Sequence, residues 1–232
     1  MDPVALCADT SAGWHASWLT SLGLRSERGD SVWRALDPPP RIYWTAITLA
    51  REASTADVCD ARGTVCDSWT LLDLSPFGFE ERAREPWFVR PAGDVPAEAG
   101  PQELELARVS TPAQVVEFDE VSMRGFAGEN VSVEPGTIHP ASILADARVT
   151  MLTGRAGGSA VAAAMSYRSE GAVGIYGVTT IASARGRGYA SALTRALVDP
   201  AAPALLSPSP EAERLYRRLG FEQVGELRQW QR

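Results

Sequence analysis

Trp14, Trp18 and Leu22 recur at i, i+4 and i+8, the spacing that sets one apolar stripe along a helix. The pattern predicts a helix from about Ala12 to Leu22, with Ser11 as N-cap and Gly23 as its stop. Asp37-Pro38-Pro39-Pro40 separates that helix from the next segment of the chain. A longer break lies at 94–102, DVPAEAGPQ, rich in Pro, Gly and acid and poor in apolar positions. It reads as a linker between an N-terminal domain, 1–93, and a C-terminal domain, 103–232.

Beyond the linker the period changes several times. Leu104-Glu105-Leu106-Ala107-Arg108-Val109 alternates as a half-buried strand does. Ser110-Thr111-Pro112 then offers a cap and a first-turn proline, and Val115, Phe118, Val121 and Met123 to Phe126 supply that helix's apolar side. Arg148 to Leu152 and Ala160 to Tyr167 read as strands joined by the turn Gly154-Arg155-Ala156-Gly157-Gly158. Val173 to Ile181 is a further strand, followed by a helix from about Gly188 to Val198. Ala204-Leu205-Leu206 reads as a short strand, Pro210 to Leu219 as a capped helix and Phe221 to Trp230 as a closing strand. The order β-α-β-β-β-α-β-α-β predicts a mixed sheet with helices on its faces. Phe77-Gly78-Phe79-Glu80 followed by Trp87 echoes Leu219-Gly220-Phe221-Glu222 followed by Trp230. On that echo the first half reads as a degenerate copy of the end of the second.

Composition narrows the function classes. The 232 residues are 45% hydrophobic and carry a net charge of −7, which supplies a core and argues against binding to nucleic acid or an anionic membrane. All 22 basic residues are Arg. Cys7, Cys59 and Cys66 are odd in number and lack CxxC spacing, so neither a disulfide framework nor a zinc site is expected. His15 and His139 are too isolated for a metal cluster. The N-terminus lacks signal-peptide features, and the longest apolar run, Ala160 to Met165, is too short to span a bilayer. The expectation is a soluble cytoplasmic protein.

Arg185-Gly186-Arg187-Gly188-Tyr189-Ala190 fits the pattern [Q/R]-x-x-G-x-[G/A]. A pyrophosphate needs converging backbone N–H groups, glycines that allow close approach and a helix N-terminus behind them. Arg155-Ala156-Gly157-Gly158-Ser159-Ala160 fits the same pattern, but it lies between two strands with no helix after it, and it reads as a decoy.

Val178-Thr179-Thr180, then Arg185 to Leu193, then Leu215-Tyr216-Arg217-Arg218-Leu219-Gly220-Phe221 together resemble the GNAT (GCN5-related) acyl-CoA N-acyltransferases, over roughly Leu104 to Arg232. The resemblance implies a GNAT-like α/β (α+β) fold, a mostly antiparallel mixed sheet flanked by helices. Two-domain members with a degenerate N-terminal half occur in the family, and the first half here carries no cofactor loop. The resemblance further implies that the backbone from Arg185 to Ala190 holds the pyrophosphate of acetyl-CoA. Val178, Thr179 and Thr180 would then pair with the pantetheine arm and donate an amide to the thioester oxygen. Arg185 and Arg187 could add charge there. Gly186 and Gly188 keep the approach open. Tyr216 would protonate the leaving thiolate. The family's asparagine before the tyrosine is missing, and Ser209 is its weak substitute.

Glu129, His139 and Glu170 could each accept the amine proton, and none is singled out. His139, before Pro140, reads as a loop or helix-start residue. The implied reaction moves acetyl from acetyl-CoA to a primary amine of a small molecule or peptide by direct attack in a ternary complex. A non-catalytic acyl-CoA-binding sensor or interaction module is the alternative. A homodimer through an edge strand is also expected.

Overall fold

A computed structural model describes residues 2–40, 42–98, 100–128 and 134–232. Helix α1 spans Pro3–Ser21 and starts well before Ala12. Asp2 caps it, its carboxylate accepting from the Val4 amide at 3.0 Å, and Pro3 takes the first turn, where a missing N–H costs nothing. The early turns escaped the periodicity because their inward positions are small, Cys7, Ala8 and Ser11, and the helix is buried on nearly every side. Gly23 ends it as predicted, at φ +73°, with Leu24 N–H donating to Leu19 O at 2.9 Å.

The first half continues with β1 (Ser26–Arg28), β2 (Val32–Ala35), β3 (Trp44–Thr48), β4 (Thr64–Asp67) and β5 (Glu80–Arg90). The second half holds β6 (Leu104–Arg108), α2 (Pro112–Ala127), β7 (Val149–Ala156), β8 (Ser159–Arg168), β9 (Val173–Thr180), α3 (Tyr189–Leu197), β10 (Ala204–Leu206), α4 (Glu213–Arg218) and β11 (Glu222–Gln231). The β-α-β-β-β-α-β-α-β order therefore holds. Two bounds are tighter than expected. The β7–β8 turn is only Gly157-Gly158, at φ +57° and +79°, because two left-handed residues match the twist of a hairpin. Helix α4 is shorter than Pro210–Leu219, since Ser209 O and the Ala212 amide close a separate turn before it.

One sheet, ordered β1-β2-β3-β4-β11-β5-β10-β9-β8-β7-β6, crosses both halves. Each half repeats a plan. In the first, α1 is followed by the antiparallel run β1-β2-β3 and a parallel step to β4. In the second, α2 is followed by the antiparallel run β7-β8-β9 and a parallel step to β10. A short helical turn then ends on a left-handed glycine, Gly78 at φ +81° or Gly220 at φ +85°. Next come a buried phenylalanine, Phe79 or Phe221, and a long strand. The Phe-Gly-Phe-Glu echo in the sequence marks this repeat.

The two long strands are exchanged. β5 pairs with β10 of the second half, β11 pairs with β4 of the first, and the two lie antiparallel side by side. Glu80 faces Gln231, and its counterpart Glu222 faces Val89, the counterpart of Gln231, as an approximate dyad requires. Helix α1 packs across the sheet against strands of both halves, β3, β5, β9 and β11 among them. From the expected linker, Pro96 and Glu98 contact α3, where Glu98 pairs with Arg195 at 2.7 Å. Among the described residues no helix is long and apolar enough to cross a membrane.

Candidate active site

β9 and β10 pair only at Val173–Ala204 and Gly174–Leu205, and beyond that the two parallel strands part. β9 then bulges. Ala163 faces Thr179 but Met165 faces Tyr176, so β9 holds one residue more than β8, and Gly177 sits there at φ +61°. A bulge leaves a residue out of the ladder and re-aims the chain. Here Gly177 and Val178 line a cavity of about 560 Å³ that opens from the wedge. Its far walls come from α1 (Trp14, His15), α2 (Ser122, Met123, Phe126) and the first half's Tyr43, Trp44, Glu85 and Trp87. That size suits a small ligand.

The phosphate-cradle candidate stands where β9 hands over to α3. Gly186 and Gly188 have φ +78° and +81°, with open space where a Cβ would project. Gly188 is the N-cap of α3, and no side chain caps its amides. A helix start of this kind presents unpaired N–H groups and the positive end of the dipole. Arg187 is exposed, but Arg185 turns back, its Nε donating to Thr180 O at 3.1 Å and its Nη2 to Gly125 O at 2.7 Å. Tyr189 is buried and donates to Glu103 Oε1 at 3.0 Å. Ala190 is half-buried, leaving its backbone as its contribution. The side chains of Arg185 and Tyr189 thus brace the loop from behind. The look-alike at Arg155 lies in the β7–β8 hairpin, with Arg155 paired to Glu117 at 2.6 Å.

Val178, Ser209 and Tyr216 come together on the cavity wall. Thr179 and Thr180 do not: Thr179 packs against Gly125 of α2, and Thr180 gives its carbonyl to Arg185. Tyr216 lies edge-on to Phe221 with ring centres 5.8 Å apart. Burial pushes its hydroxyl up to about 12, only partly offset by Thr194. It therefore stays protonated at neutral pH and can act as a proton donor.

Of the three candidate bases, His139 lines the cavity, and its partner Asp119 was not foreseen from the sequence. His139 and Asp119 are 2% and 1% exposed. The His139 amide donates to Asp119 Oδ2 at 3.0 Å, and His139 Nδ1 lies 2.6 Å from Asp119 Oδ1. With its proton on Nδ1 facing the carboxylate, the ring leaves Nε2 to accept from the Tyr43 hydroxyl at 3.1 Å. Burial, reinforced by the charge of Asp119, raises the Tyr43 hydroxyl well above its ordinary value. His139 does start a local turn, since Pro140 caps a 3-10 segment at Ala141–Ala145, yet its ring points inward. Glu170 sits exposed in the β8–β9 turn, away from the cavity lining, and Glu129 lies outside the described residues.

Glu85 was also missed. It enters the cavity from β5, Oε2 accepting from Ser207 Oγ and Oε1 from Gln229 Nε2, each at 2.9 Å. Burial raises its carboxyl above the ordinary range. His15 stacks on Trp44 at 4.9 Å, and burial pushes its imidazole down to about 4. Tyr43, Glu85, Asp119, His139 and Tyr216 come from five distant stretches of chain, so no local spacing could have grouped them.

No family model and no curated protein matches the chain. Solved structures do. A GCN5-related N-acetyltransferase from Kribbella flavida is 19% identical, with a TM-score of 0.63 over 95% of this chain and 94% of that one. The fold is that of the GCN5-related N-acetyltransferases. A second such enzyme, from Sphaerobacter thermophilus, is 15% identical at a TM-score of 0.57, over 97% of this chain and 92% of that one. A GCN5-related N-acetyltransferase-like protein from Streptococcus suis is 16% identical at 0.55, over 99% and 98%. These acetyltransferase-fold chains align with this one across both halves.

Proposed function

We propose that the protein is an N-acyltransferase that moves acetyl from acetyl-CoA to a primary amine by direct attack in a ternary complex. The observation that carries this reading is the wedge. It has a bulged strand on one side, an uncapped helix start at its mouth and a buried, protonated tyrosine on its wall, within an acetyltransferase fold. In this reading the amides from Gly186 to Ala190, with Arg187, hold the pyrophosphate. The edge of β9 guides the pantetheine arm, and the Gly177–Val178 backbone faces the thioester oxygen. The first half serves as the acceptor-side wall, through Tyr43, Trp44, Glu85 and Trp87. Acetyl-CoA as donor fits a cytoplasmic protein, and an exposed sheet edge, β1 or β6, would serve a homodimer.

An acceptor that arrives as its ammonium first releases one proton to solvent; the neutral amine then attacks the thioester carbon, and its lone pair forms the new N–C bond. The surplus proton on nitrogen passes through the Tyr43 hydroxyl to His139 Nε2, which Asp119 orients and steadies as it becomes cationic. The C–S bond breaks with its electron pair on sulfur, and the thiolate takes the proton of Tyr216. Solvent returns the His139 proton to the tyrosinate, leaving amide and free CoA thiol. Replacing His139 by Gln is expected to lower kcat about 100-fold while acetyl-CoA affinity stays near the wild-type value. An unchanged kcat would remove His139 from the mechanism.

Calorimetric titration with acetyl-CoA, followed by an amine screen that reads free thiol, tests the whole reading. Micromolar binding with thiol release supports it. Binding without release from any amine would favour a non-catalytic acyl-CoA sensor, and no binding would sink both.

A further inference from the structure

We infer that Glu85 and the aromatic wall beside it form the acceptor subsite, built for a single primary ammonium carried on a flat, apolar body. The inference rests on the transferase reading for its chemistry, but its parts are independent of the CoA loop. Among the described residues lining the cavity, Glu85 is the only Asp or Glu, and no Arg is among them. Each carboxylate oxygen receives one neutral hydrogen bond, from Ser207 and from Gln229. Among the described residues no ion pair reaches Glu85, whereas Glu81 on the same strand pairs with Arg84 at 2.7 Å. A carboxylate drawn partly out of water without a cation is an incomplete site, and an ammonium would complete it.

The neighbouring walls decide what the ammonium is attached to. Trp44 stands edge-on to Trp87 at 6.3 Å and 88°, and Trp14 stacks on Tyr176 at 5.4 Å and 17°. His15, kept uncharged by burial, stacks on one face of Trp44 and adds no charge to this wall. Ring faces of this kind hold a planar apolar group, and their quadrupoles favour a nearby cation. A polyamine would need a second anion that this wall lacks, and a peptide would leave its backbone groups unpaired against it. Position agrees. Glu85 is bonded to Ser207, one residue past the end of β10, so the ammonium would sit beside the mouth of the wedge.

The test uses the intact protein and four probes: 2-phenylethylamine, ethylamine, 2-phenylethanol and acetyl-CoA. Binding is read by calorimetry and by quenching of the cavity tryptophans. Phenylethylamine is expected to bind wild type about 10- to 100-fold more tightly than either ethylamine or phenylethanol. Glu85→Gln, verified as folded by circular dichroism, is expected to lose that same factor for phenylethylamine and to keep wild-type affinity for acetyl-CoA. Absence of saturable phenylethylamine binding, equal binding of phenylethanol, or an unchanged Glu85→Gln affinity would each overturn the subsite. The wild-type comparison decides the matter even if the variant fails to fold. Phenylethylamine binding without acetyl-CoA binding would instead uphold the subsite and remove the transferase reading.

Discussion

Tyr216 and His15 are both buried in the same cavity wall, and burial moves them in opposite senses because it disfavours whichever form is charged. For Tyr216 the result is a phenol that keeps its proton. Tyr216→Phe is expected to cut turnover about 100-fold while acetyl-CoA affinity stays nearly constant, as steady-state kinetics and calorimetry would show. Equal turnover across pH would exclude the tyrosine as acid. For His15 the result is a pH dependence of stability. Its folded value, about 4, lies below that of an unfolded histidine, about 6.5, so the unfolded chain binds the extra proton between them. Stability should fall as pH drops through that window and level off below it. Denaturant melts at pH 7 and 4.5 should show wild type losing about 2–3 kcal/mol more than His15→Gln.

Helix α2 and strand β9 pack tightly at Gly125. A Cβ on Gly125 would stand 2.1 Å from Thr179 Oγ1 and 3.0 Å from its Cβ, and a β-branched side chain has few rotamers in which to yield. The helix end is also held by Arg185, which bridges Gly125 O and Thr180 O. Gly125→Ala should push α2 off the strand that carries the bulge and cost about 1–3 kcal/mol despite alanine's better helix propensity. A thermal melt unchanged from wild type would contradict that packing. Phe118 and Val121 were readable as the apolar side of α2, whereas the need for glycine at 125 was not, because its cause lies in another element.

The exchanged strands make the halves depend on each other. A fragment of 103–232 lacks β5, which pairs β10 and β11, and a fragment of 1–93 lacks β11, which pairs β4. Each fragment would expose unpaired strand edges and the apolar surface under α1. Each is expected to be unfolded or aggregated alone, and co-expression of 1–93 with 94–232 should restore a folded complex by circular dichroism and size exclusion. A monomeric, cooperatively melting 103–232 would refute that dependence.

Local rules reach a few residues along the chain, and what depends on them could be read from the sequence. Alternation gave the strand order of the second half, Thr111-Pro112 the start of α2, and Gly188 the entry to α3. The paired Phe-Gly-Phe-Glu and Leu-Gly-Phe-Glu segments marked a repeat because each needs the same left-handed glycine before a buried phenylalanine. Only tertiary structure decided the rest. The start of α1 was hidden by small residues buried on all sides. The strand exchange turns on which edge a strand finds, and pairing energies along the chain do not distinguish its own half from the other. Asp119, His139 and Tyr43 are joined by hydrogen bonds between distant elements, and Glu85 likewise meets Ser207 and Gln229, so these arrangements belong to the assembled cavity and to no single stretch of sequence.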